Sequence, residues 1–178
     1  LFGATESSLL RFDADGVKKS NSGSGIHFKN GVSDSQIGVD ALGNFNRPPR
    51  SRIGGNEKHG VFLENASGIR INYINIGVGS AGRLDNGIDG IRLLNASGCR
   101  IGDHRVFYDV GVIGAPDGAA IRMEGLDTFD NAVFGASIGA TSDFRPNGVS
   151  YFPYADSQKI GIYLTDGAWG NVIGHRGD

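Results

Sequence analysis

The stretch Gly90-Ile91-Arg92-Leu93-Leu94-Asn95-Ala96-Ser97-Gly98-Cys99-Arg100-Ile101-Gly102 decides how the chain is read. It recurs, degraded, upstream as Gly60-Val61-Phe62-Leu63-Glu64-Asn65-Ala66-Ser67-Gly68-Ile69-Arg70-Ile71 and as Gly25-Ile26-His27-Phe28-Lys29-Asn30-Gly31. Downstream it returns as Ala120-Ile121-Arg122-Met123-Glu124-Gly125 and Gly161-Ile162-Tyr163-Leu164-Thr165-Asp166-Gly167. The copies start at 25, 60, 90, 120 and 161, so the spacings are 35, 30, 30 and 41. Self-similarity on this scale marks stacked supersecondary units, none of which can bury its apolar face alone.

Within each copy the alternation has period two. Ile26/Phe28, Val61/Leu63, Ile91/Leu93, Ile121/Met123 and Ile162/Leu164 point one way, and His27, Phe62, Arg92, Arg122 and Tyr163 point the other. That pattern predicts a half-buried strand in every copy. Beyond residue 25, Gly interrupts any window long enough for an amphipathic helix.

Two further apolar stations follow each strand. The first is expected at Ile37, Ile71, Ile101, Phe134 and Ile173, the second at Ile53, Ile76, Ile113 and Ile138, nearly all followed by Gly. Glycine there suits a backbone that turns sharply or passes close to its neighbour. Asn30, Asn65 and Asn95 share one position at the strand end, with Gly125 and Asp166 in the last two copies. Asn tolerates left-handed turn geometry, and direct stacking would let each amide bond to the next, so these three are read as a structural ladder. Asn-Ala-Ser at 65–67 and 95–97 also matches a glycosylation acceptor, but both matches fall on the repeat register, which favours the ladder.

Composition narrows the class. A chain of 178 residues is long enough for one domain with a core. Thirty Gly with only five Pro and no three-residue period suits many tight corners rather than collagen. A net charge of −2 without a basic block argues against nucleic acid as partner. The single Cys, Cys99, sits at an apolar position and reads as a small buried hydrophobe. No apolar run is long enough for a membrane span. Residues 1–24 are expected to form an irregular first coil or cap, 25–174 the solenoid and 175–178 a tail. A start at Leu1 without a visible signal peptide suggests a mature or excised segment.

Gly-h-x-h-x-Asn followed by x-Ile-Gly, with h apolar and the spacing uneven, is similar to the right-handed parallel β-helix repeat proteins, the pectate-lyase-like superfold. The resemblance covers about residues 23–174. It implies an all-β, single-stranded right-handed parallel β-helix (a solenoid) of about five coils with long variable loops, the longest spanning 140–160. An antiparallel sandwich would also have short strands and Gly-rich turns, but would not return the same residue types in the same order.

That architecture hosts lyases, hydrolases, tailspikes and adhesins, so function must come from particular residues. An enzyme of this kind needs paired carboxylates at a glycosidic bond, or carboxylates holding Ca²⁺ against a uronate. Asp85, Asp89 and Asp103 are the catalytic candidates, with His104, Arg105 and Asp117 nearby in sequence. Asp-x-x-x-Asp in a Gly-rich corner is more often turn chemistry, and the usual motifs of polygalacturonases and pectate lyases are not matched. The four His, at 27, 59, 104 and 175, lack ligand spacing, so no metal and no cofactor is expected, Ca²⁺ being the minor alternative. Phe144, Arg145, Tyr151, Phe152 and Tyr154 are the candidate carbohydrate-binding residues, since aromatics beside Arg can stack on sugars and pair with acid groups. The competing reading folds those aromatics back over one face of the solenoid. The expected function is an extracellular, cell-surface or virion structural or adhesive body, adhesin- or tailspike-like. It would belong to a larger assembly through self-association or further coils, with a polysaccharide or surface glycan as partner. A polysaccharide lyase or glycoside hydrolase is the alternative.

Overall fold

The computed structural model describes residues 21–38, 51–79, 82–103, 110–112, 114–139 and 158–174, together with the backbone of short strands at 11–12, 18–19, 141–145 and 148–152. The described chain is all-β with no helix. Three parallel sheets carry it, visited in rotation. The first sheet holds Ile26–Lys29, Val61–Glu64, Ile91–Leu94, Ala119–Glu124 and Ile160–Thr165. The second holds Gln36–Gly38, Arg70–Asn72, Arg100–Ile101, Ala132–Val133 and Val172–Ile173. The third holds Ser51–Ile53, Ile74–Ile76, Val110–Val112 and Ala136–Ile138. The arrangement is solenoid-like and compatible with a parallel β-solenoid. Three antiparallel hairpins sit outside these sheets, pairing Arg11–Phe12 with Lys18–Lys19, Val78–Gly79 with Gly82–Arg83, and Thr141–Arg145 with Gly148–Phe152.

Register follows the repeat. Ile91 pairs with Val61 on one side and Ile121 on the other, and Leu93 with Leu63 and Met123. All six are fully buried, while their outward neighbours Phe62, Arg92 and Arg122 are half-exposed. A one-residue slip would exchange the two faces, so the buried stack fixes the pairing. Ile37, Ile71 and Ile101 form the core column of the second sheet, and Ile53, Ile76 and Ile138 belong to that of the third.

Two expected stations lie one residue away from their place. Val133, not Phe134, pairs with Ile101, and Val112, not Ile113, pairs with Ile76 and Ile138. At 133–134 the smaller of two adjacent apolar residues enters the core; Val112 is buried too, while Ile113 lies outside the described residues. Phe134 instead occupies the rung of Gly102, its N–H donating to the Ile101 carbonyl at 2.9 Å. Gly102 has φ +79°, and a Cβ there would run into the Phe134 carbonyl oxygen, so both backbone conformation and close approach require glycine.

Asn30, Asn65, Asn95 and Asp166 all adopt φ near +50° at the corner between the first and second sheets, with Gly125 at +100°. The Asn65 and Asn95 N–H groups donate to the next rung, to Leu94 O and Glu124 O at 3.0 Å. Side-chain amides bond to one another at other corners. Asn21 Nδ2 donates to Asn56 Oδ1 and Asn56 Nδ2 to Asn86 Oδ1, both at 2.8 Å. A second pair joins Asn131 Nδ2 to Asn171 Oδ1 at 3.0 Å, while Asn131 Oδ1 caps the Cys99 N–H at 2.9 Å. Cys99 is buried and unbridged, and burial pushes its thiol pKa up. Of the expected first coil, only the 11–12/18–19 hairpin and residues from 21 onward are described, and the tail at 175–178 lies outside the described residues.

Candidate functional site

Parallel pairing lines up one outward side chain per strand along the first sheet: His27, Phe62, Arg92, Arg122 and Tyr163 are successive register partners. They stack as the strands do. The His27 ring lies 4.5 Å from Phe62 at an interplanar angle of 16°. Arg92 sits over the other side of the row, its Cζ 5.3 Å from the Phe62 centroid, and Arg122 Cζ is 5.0 Å from the Tyr163 ring. Such cation–π contacts stabilise modestly at exposed sites, about 0.5–1 kcal/mol each. A second outward row supplies acids: His27 Nε2 meets Glu64 Oε2, and Arg92 Nη2 donates to Glu124 Oε2, both at 2.9 Å.

At the edge of this row lies a buried charge centre. Asp89 is 0 % exposed and His59 2 %. Asp89 Oδ1 accepts the Ala119 N–H at 2.9 Å and Oδ2 accepts Arg122 Nε–H at 3.0 Å. His59 Nδ1 lies 3.3 Å from Oδ2 at ion-contact distance, off the line a hydrogen bond needs, and Nε2 is 3.5 Å from Arg92 Nη1. Burial taken alone raises the Asp89 pKa. His59, the Ala119 N–H and Arg122 together outweigh it, so the carboxyl is held below its ordinary value. Both oxygens are engaged by protein groups. The centre therefore pins Arg122 over the sheet; it does not present an acid or base to solvent.

The other candidates are dispersed. Asp85 and Asp103 are half-buried and each has a protein interaction, while Asp117 is exposed. His104 and Arg105 lie outside the described residues, as does Tyr154. Phe144, Arg145, Tyr151 and Phe152 fall on the hairpin, where Phe144 pairs with Val149, Arg145 with Gly148, Tyr151 with Ser142 and Phe152 with Thr141. Asn30 and Asn65 are exposed and Asn95 half-buried at their shared corner. Among the described residues, no group of three or more His, Cys, Asp or Glu is placed to hold a metal ion.

Sequence reading did not single out His59 or the outward row as a site. The signal was present: the row occupies the polar phase of the period-two pattern, and it holds His, aromatics and Arg instead of the Lys, Ser and Thr of an ordinary solvated face. Comparison with protein-family models, curated proteins and solved structures returned no match for this sequence.

Proposed function

We propose that the chain is a right-handed parallel β-helix of about five coils, similar in architecture to the pectate-lyase-like superfold. In this reading it is a structural or adhesive module of a larger extracellular or surface assembly, with an outer face that binds polysaccharide. The observation that carries it is the outward row of the first sheet, where aromatic side chains flank a pair of guanidinium groups on a rigid, hydrogen-bonded frame. Flat rings and fixed guanidinium groups suit sugar faces and their polar substituents. Right-handedness follows from the strong preference of parallel crossover connections.

The assembly part rests on one edge of the stack. The strands Ile160–Thr165 and Val172–Ile173 stand last in their sheets, and Leu164, Val172 and Ile173 are exposed there. An open strand edge flanked by apolar side chains is a template for another coil or another copy. The lyase or hydrolase alternative would need a carboxylate that reaches substrate, and Asp89 has both oxygens taken within the protein.

Two measurements test the reading together. On a glycan array the chain is expected to bind, and on acidic polysaccharides it is expected to release neither reducing ends nor unsaturated uronates. Release of either, at a rate abolished by Asp85→Asn or Asp103→Asn, would transfer the chain to the enzyme class.

A further inference from the structure

The outer face of the second sheet carries two cations that form no ion pair among the described residues. Arg70 and Arg100 are register partners in neighbouring strands, and both are exposed. Like charges directly opposite each other destabilise a sheet. Arg92 and Arg122 face the same problem on the first sheet, and there each guanidinium is bonded to a carboxylate. Among the described residues neither Arg70 nor Arg100 has an anionic partner. Their flanking register partners, Gln36 and Ala132, carry no charge.

The pair is also held rigidly. Arg70 N–H donates to Ser35 O at 2.9 Å and Arg100 N–H to Ile69 O at 2.8 Å, so the two Cα atoms keep the ladder spacing of about 4.8 Å. Gly68 and Gly98 stand two residues before each Arg, and the Asp34 carboxylate borders Gly68 on the side of the neighbouring rung.

We infer that Arg70 and Arg100 form a binding site for an acidic polysaccharide, one bearing carboxylate or sulfate groups. This deepens the proposed polysaccharide-binding function and rests on it. A planar guanidinium fork engages a carboxylate or sulfate with two parallel hydrogen bonds, and two forks at fixed spacing suit a polymer whose charges repeat along its length. Nucleic acid fits less well, because sequence-independent affinity for phosphates needs many cations and this chain has net charge −2.

The test uses the full chain in affinity electrophoresis through polygalacturonate, dextran sulfate and neutral dextran, with a single-stranded oligonucleotide as a further probe. Retardation is expected in one or both acidic polymers, fading as salt rises past about 0.1 M, where exposed charges are screened beyond about 10 Å. Which acidic polymer retards more tells carboxylate from sulfate recognition. The double variant Arg70→Gln/Arg100→Gln should bind at least about tenfold more weakly, equivalent to about 1.4 kcal/mol. Its melting temperature should equal or exceed that of the parent, since a repulsion is removed. Lys159→Gln, an exposed cation away from this sheet face, should leave binding unchanged. Retained binding in the double variant, or binding to the oligonucleotide alone, overturns the inference. Binding to neutral but not acidic polymer overturns it while the proposed function stands, and binding to no polysaccharide overturns both.

Discussion

Asp89 is a buried anion whose energetics depend on pH in a defined direction. Its folded pKa lies below the ordinary value of 3.8, so the unfolded chain takes up the proton first as pH falls. The stabilisation is therefore complete above about pH 4 and is lost as pH drops through the folded pKa below that. Asp89→Asn should cost about 3 kcal/mol at pH 7, the low end for breaking a buried pair because Arg122 remains partly solvated. Urea midpoints measured from pH 7 down to pH 2 should then converge for variant and parent in acid. Parallel curves at every pH would mean that the carboxylate contributes only shape.

Between rungs, the three amides of Asn21, Asn56 and Asn86 bind consecutive corners together. Asn86 is fully buried, and its Oδ1 accepts from Asn56 Nδ2 while its own Nδ2 has no partner among the described residues. Asn86→Ala removes the acceptor and leaves the Asn56 amide unsatisfied, which should cost about 1–3 kcal/mol in equilibrium unfolding. A change below a few tenths would deny the stack a structural role. Period and strand phase were legible in sequence because alternation at Ile91/Leu93 and Val61/Leu63 admits only one inward set. The amide stack was not, since Asn21, Asn56 and Asn86 precede the recurring strand at corners whose surrounding residues vary. Nor was the slip at Val133, where it and Phe134 compete for one core position and period alone does not choose between them. Among the outward residues, pattern could show that Arg92, Arg100 and Arg122 face away from the core. Only geometry separates the two that meet a carboxylate from the one that does not.

As a whole, the molecule is a stack in which each rung chiefly touches the next, so its stability is close to a sum of rung and interface contributions. The edge carried by Ile160–Thr165 and Val172–Ile173 is where one interface contribution is missing among the described residues. The chain's single tryptophan, Trp169, lies beside it, stacked on Phe129 at 5.1 Å and anchored by Nε1–H to Leu126 O at 3.1 Å, with 58 % of its surface exposed. This indole is a native optical gauge: its emission should begin at long, water-like wavelengths and move to the blue as protein concentration rises, in step with mass measured by light scattering. Growth in mass without any colour change would place the contact on another side of the particle.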